Sequence, residues 1–129
     1  MISSRLKNIL LLSIPLYIIH AVEEYSTGLL REDHFFQWAS NITKVSANTV
    51  YVVEQILLLV VLVWAIYKPK PWLLVGVGLL YIYELVHITR AISVMGYYPG
   101  LITALFFPVI GYFYWAELLK IRKNKSFSV

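Results

Sequence analysis

Apolar residues run in four long blocks along this chain, separated by turn formers and bases. The blocks extend from about Leu6 to Tyr25, Ala47 to Tyr67, Trp72 to Met95 and Pro99 to Leu119. Each is close to the ~20 residues a helix needs to cross a bilayer. None alternates with a period of two, and a lone open sheet would leave backbone groups unpaired in lipid, so strands are a poor alternative. The pattern predicts an all-α polytopic membrane protein. Its single domain, residues 1–129, is a bundle of four transmembrane helices with an interfacial segment between helices 1 and 2. The first block is longer than the apolar part of a secretory signal and ends in "HAVEEY" without a small-x-small cleavage site, so it reads as a retained helix.

The segment between helices 1 and 2 is longer than a simple helical-hairpin link. Its middle, "DHFFQWASNI", gathers Phe35, Phe36 and Trp38 but is too short to cross. It is expected to lie in the interface or to fold over the end of the bundle. A lid over a site is the sharper version of that expectation. "KPKP", between helices 2 and 3, is a stiff, tight link that suits two helices turning back on each other.

Composition agrees with the pattern. The 129 residues are 60% hydrophobic and 14% charged, against about a quarter charged in soluble domains. No cysteine is present, so neither a disulfide nor a thiolate ligand is available and the redox compartment is not readable. The net charge of +4 sits at the helix flanks. Arg5 and Lys7 precede helix 1, Lys68 and Lys70 join helices 2 and 3, and Lys120, Arg122, Lys123 and Lys125 follow helix 4. That distribution is not a nucleic-acid patch, and no nucleic-acid partner is expected. All three basic flanks fall on one side of a four-pass chain. The 1–2 segment, with Arg31, Glu32, Asp33 and Lys44, is balanced, and "GYYPG" is uncharged. The positive-inside rule therefore predicts an integral cell-membrane protein with both termini cytoplasmic. Trp72, Tyr97, Tyr98, Tyr112 and Trp115, near the block ends, suit interfacial belts.

Titratable residues inside the blocks break this picture. Counting ~1.5 Å per residue from each cytoplasmic end puts His20 ~21 Å up helix 1, with Glu23 and Glu24 at ~26 Å. The same count gives ~20 Å for Glu54 on helix 2, and ~18 and ~22 Å for Glu84 and His87 on helix 3. Carboxylates and imidazoles from three helices thus share one slab in the outer half of the bilayer. An ionised group at mid-membrane costs ~2.5–3.5 kcal/mol on the mildest scale, so the cluster demands mutual pairing, a metal, bound protons or water. His20 has Glu23 and Glu24 at i+3 and i+4, and Glu84 has His87 at i+3, so each set shares a helix face. Plainer readings compete: Glu24 or Arg90 snorkelling, Arg90 pairing with Glu84 or Glu23, and a purely structural polar knot. Glu117, beside the basic tail, reads as interfacial. The pair Gly76 and Gly78 reads as ordinary internal packing.

Three blocks then point to a family. "HAVEE" has the form of the motif that names the HXXEE family of small membrane proteins. Asn48 ahead of Glu54 on helix 2, and His87 followed by Tyr97, Pro99 and Gly100, resemble that family's further pattern in the same order. The resemblance implies a four-helix membrane domain with a polar site, and brings no substrate or reaction with it.

Chemistry has to supply those. The reading put first is a membrane enzyme whose intramembrane His/Glu site binds a divalent metal and acts on a lipid or isoprenoid-like molecule. The candidate ligands are His20, Glu23, Glu24, Glu54, Glu84 and His87, with Glu24, Glu54 and Glu84 also candidate catalytic carboxylates. Glu-x-x-His on helix 3 has the spacing of di-iron carboxylate bundles, but none of the candidates lies on helix 4, unlike the distribution in such bundles. A mononuclear Zn or Fe site is chemically as easy as a dinuclear one. Such a site would make the protein a hydrolase or oxidoreductase. The first alternative is metal-free acid–base chemistry, an isomerase or cyclase of a lipidic substrate. The second is a proton- or cation-relay transporter, which with four helices would need to form a homo-oligomer. Asn48, Tyr83, Arg90, Tyr97 and Thr103 are the candidates for substrate-binding or supporting roles. Pro99 is expected in the first turn of helix 4, and Pro108 is expected to kink that helix and free a carbonyl.

Overall fold

The computed structural model describes residues 2–126, and of Glu32 and residues 122–126 only the backbone. The side chains of Arg122, Lys123 and Lys125, expected on the C-terminal flank, thus lie outside the described residues. Among the described residues all regular structure is helical.

Helix α1 spans Ser4–Thr27. Ser3 caps it by accepting the Leu6 N–H at 3.1 Å. Gly28 ends it with φ +91°, a left-handed turn that glycine adopts without steric cost. Two short helices follow, α2 (Leu29–Glu32) and α3 (His34–Thr43). Asp33 separates them and caps α3 through the Phe35 N–H at 2.7 Å. Helix α4 is Ala47–Tyr67, capped by Ser46. Pro71, which has no N–H to leave unpaired, opens α5 (Pro71–Tyr83). Helix α6 (Leu85–Ser93) continues α5 after an irregular step at Glu84. The last segment is α7 (Leu101–Ala104) and α8 (Phe107–Ser126). It loosens at Leu105–Phe106, just ahead of Pro108, where the sequence places the kink.

Four stretches are long and apolar enough to cross a membrane: Ser4–Thr27, Ala47–Tyr67, Pro71–Ser93 and Leu101–Ile121. They pack as a closed square, α1 against α4 and α8, and α5 against the same two. The helices follow the predicted blocks, with one instructive shift. The fourth starts at Leu101 instead of Pro99, because Gly100 has φ +82° and cannot be helical. Pro99 and Gly100 form the turn before it, and that turn belongs to the site.

One end of the square, where α1 begins and α8 ends, is packed mainly with carbon. Leu6, Leu10, Leu62, Ala65 and Val77 have no exposed surface there. Gly78 lies where Trp115 crosses: a Cβ would meet the indole at 2.6 Å, and the indole N–H donates to the Gly78 carbonyl at 3.1 Å. This is packing within the bundle, as expected for that glycine. Leu12, Val22, Ile56, Leu79 and Phe106 point outward and are exposed, an arrangement that fits a lipid environment. At the other end α3 packs on α4. Phe36 is buried there with its ring 5.4 Å from that of Tyr51, while Phe35, Trp38 and Ile42 face out.

Candidate metal and substrate site

His20 and Glu24 stand one turn apart on the buried face of α1. Glu84, at the irregular step, and His87, in the first turn of α6, face them from the third span. All four are buried, at 2–5% exposure. Their ring atoms and carboxylates meet in a closed circuit. His20 Nε2 lies 3.0 Å from Glu84 Oε2 and 3.4 Å from Glu24 Oε1. His87 Nε2 lies 3.1 Å from Glu24 Oε1 and 3.5 Å from Glu84 Oε2. The two imidazoles meet edge to face, centroids 4.9 Å apart.

The other ring nitrogens decide which atoms carry protons. His87 Nδ1 is 2.6 Å from the Pro99 carbonyl, which can only accept, so Nδ1–H donates. His20 Nδ1 is 2.6 Å from Thr103 Oγ1. That hydroxyl has a single hydrogen, and Glu23 Oε2 at 2.5 Å is its strongest acceptor. Thr103 therefore accepts from His20 Nδ1–H. In their neutral forms both imidazoles turn a bare Nε2 towards two carboxylate oxygens, four acceptors facing one another. His20 Nε2, like the Tyr17 hydroxyl one turn below, is buried without a well-aligned hydrogen-bond partner among the described residues. Such a knot is stable only with protons or a cation inside it. Ligand atoms of His20, Glu24 and His87 lie within 4.8 Å of one another, a group able to hold a metal ion. Glu84 lies outside that group but brings Oε2 to 3.0 and 3.5 Å from the two Nε2 atoms.

The surroundings hold this geometry. Glu23 points away from the ring towards the turn before helix α7. It accepts from the Tyr97 hydroxyl at 2.7 Å, the Ile102 N–H at 2.9 Å, and the Thr103 N–H and hydroxyl at 2.8 and 2.5 Å. Tyr97, outside the spans, has its hydroxyl pushed up by partial burial and by the Glu23 carboxylate, which keeps it a donor. A Cβ on Gly100 would lie 2.7 Å from His20 Cε1, 2.9 Å from Glu24 Cγ and 3.0 Å from His87 Nδ1. Only glycine fits this turn, for space as well as for φ. The Tyr51 hydroxyl lies 2.9 Å from Glu24 Oε2 and 2.8 Å from the Ala21 carbonyl, and shares its one hydrogen between them.

A cavity of about 380 Å³ opens from the ring. Glu54 and Gln55 of α4 line one wall, Tyr83 and Arg90 another, and Asp33, His34, Phe35 and Phe36 cover it from the connection between α1 and α4. Glu54 is half-buried and makes no hydrogen bond among the described residues. Arg90 is exposed and forms no ion pair among them. Asn48 is exposed in the first turn of α4 and outside the cavity lining.

Of the six candidate ligands, the structure thus gathers His20, Glu24, Glu84 and His87. Glu54 lies across the cavity, and Glu23 is tied to the turn. Thr103 and Tyr97 act behind the ring, while Tyr83 and Arg90 line the cavity. Tyr51, the Pro99 carbonyl and Gly100 also shape the site. Of these, Tyr51 was readable in principle, since it lies three residues before Glu54 on the same face of α4. The Tyr81 hydroxyl pairs with Ser13 Oγ at 2.6 Å, below the ring.

The family described as "protein of unknown function with HXXEE motif" matches residues 11–115. No curated protein and no solved structure matches the chain.

Proposed function

The chain belongs to the HXXEE-motif family, whose function is unknown, so its activity has to be read from the site, and we propose that it is a membrane enzyme that holds one divalent metal ion between His20, Glu24, Glu84 and His87 and acts on a lipid-like molecule. The observation that carries this reading is the ring itself, with two Nε2 atoms 3.0–3.5 Å from two carboxylate oxygens and both Nδ1 atoms already engaged by Pro99 and Thr103. Metal–nitrogen and metal–oxygen bonds of ~2.0–2.2 Å would close such a ring with small side-chain movements. Imidazole and carboxylate without thiolate suit Zn²⁺, Fe²⁺ or Mn²⁺. A single ion is favoured over a pair, because Glu23 is occupied by four donors and Glu54 stands apart from the ring. The Pro99 carbonyl and the Thr103–Glu23 pair hold the Nδ1 protons, the outer support that metal-binding histidines require.

A cation in the ring would polarise a water or substrate oxygen facing the cavity. Glu54, uncommitted on the opposite wall, is placed to take or return the proton. Arg90 at the rim would meet a polar head group. The basic flanks support a reading with both termini in the cytoplasm and the site in the outer half of the bilayer. The aromatic cover of α3 would then lie at the outer interface.

The same contacts also suit two shared protons, which supports a metal-free acid–base isomerase or cyclase as the second reading. One pair of variants separates the readings. Glu84→Gln should lower metal content sharply and Glu54→Gln should leave it intact, both staying folded in detergent. Turnover of a membrane lipid extract, followed by mass spectrometry, should stop in both. A folded wild-type protein with turnover and no metal would leave the acid–base reading.

A further inference from the structure

The face of α4 that does not meet the cavity leads into a second hollow. Between α1 and α4 runs an open groove of about 400 Å³, walled by Tyr17, Ile18, Val22, Tyr51, Val52 and Ile56. Its walls are almost wholly carbon. Ile18, Val22, Val52 and Ile56 are exposed, so the groove opens sideways to the surroundings of the bundle. Two residues connect it to the site. Tyr51 forms part of the groove wall with its ring and bonds Glu24 with its hydroxyl. Gln55, one turn further along α4, lines both the groove and the cavity.

Gln55 is the informative residue. Its amide carries two donors and an acceptor, yet it makes no hydrogen bond among the described residues. An amide without a partner beside apolar walls is free to donate to or accept from a ligand. It lies where an apolar channel becomes a polar one. A hydrocarbon tail in the groove would bring the first polar atoms of the same molecule to Gln55, and the rest of its head group into the cavity beside Glu54.

We propose that the α1–α4 groove is the tail subsite of the catalytic cavity, and that the ligand is an amphiphile with a long hydrocarbon chain and an oxygen-bearing group at the head–tail junction, which Gln55 binds. This rests on the reading that the site acts on a lipid-like molecule. It adds the direction of entry, sideways from the bilayer between α1 and α4, and a residue that selects for oxygen next to the chain.

The test uses the full chain in lipid nanodiscs with a trace of a fatty acid carrying a diazirine on its tail. After illumination, labelled peptides are mapped by mass spectrometry, and metal is measured on the same samples. Labelling should concentrate on Ile18–Val22 and Val52–Ile56, several-fold above the equally open face of α8 at Val109–Phe113. Val52→Trp, which fills the groove, should abolish the excess, and Val60→Trp, further along α4, should not. Ile56→Trp serves in its place if Val52→Trp does not fold. Gln55→Leu should weaken retention of the probe about fivefold, one hydrogen bond's worth. Even labelling of both faces, or an excess untouched by the groove-filling variants, would overturn the proposal. Metal present with even labelling refutes the groove alone. Metal absent with groove labelling intact refutes the metal reading alone.

Discussion

The two ends of this bundle are packed on opposite principles. At the end where α1 begins and α8 ends, Leu6, Leu10, Leu62 and Val77 interlock without exposed surface, and two polar groups beside them are paired. The Tyr114 hydroxyl donates to the Leu74 carbonyl at 2.7 Å, and the Trp115 indole N–H to the Gly78 carbonyl. At the other end the same helices bring two imidazoles and two carboxylates together, with both Nδ1 atoms engaged away from the ring by Pro99 and Thr103. The first arrangement is held by apolar contact. The second is complete only with something added. Stability and function are therefore separable along the helix axis, which single substitutions can test.

The largest expected effect lies at the apolar end. Leu10→Ala should cost about 2–5 kcal/mol, the usual penalty for a cavity left by a buried leucine. Thermal unfolding in detergent would register it, and metal content of the folded fraction should not change. If metal were lost with Leu10→Ala, the separation of the two ends would be wrong. Gly100→Ala attacks the junction. Its left-handed backbone alone adds strain of about 1–3 kcal/mol, and the new Cβ presses on His20, Glu24 and His87. This variant should lose stability and metal together.

Next comes the support behind the ring. Thr103→Val removes the hydroxyl that joins His20 to Glu23, and should weaken metal affinity by about 10–100-fold with little change in unfolding temperature. Thr103→Ser should restore it, whereas a merely steric role for Thr103 would make serine fail as valine does. The smallest effect belongs to Tyr51→Phe. Losing the hydroxyl shared by Glu24 and the Ala21 carbonyl should cost about 0.5–1.5 kcal/mol, visible in denaturant titration. A much larger loss would mean that Tyr51 positions the ring as strongly as Thr103 does.

The sequence made the scaffold legible because membrane helices announce themselves by length and apolarity. It also exposed the cluster, since i, i+3 and i, i+4 spacings put His20 with Glu24 and Glu84 with His87 on shared faces. It did not separate Glu23 from Glu24. Adjacent residues differ by about 100° around a helix, and which one turns inward depends on α7, whose backbone N–H groups claim Glu23. The turn was half legible. Pro99 marked the approach of the fourth helix, but a carbonyl that holds an imidazole leaves no mark in a side-chain pattern. The shift of the helix start from Pro99 to Leu101 has the same origin, because the turn is shaped to meet His87 and Glu23. Tyr51 was hidden by its setting, an aromatic residue in the most apolar of the four helices.

The central claim is that the ring is built for a cation. Elemental analysis of the tag-free protein, beside His20→Ala and His87→Ala, addresses it most directly. The account predicts about one zinc, iron or manganese ion per wild-type chain, as a single mononuclear site requires, and loss of that ion in both variants while they remain folded. A folded wild-type protein that holds none of these metals, even after incubation with each, would contradict it.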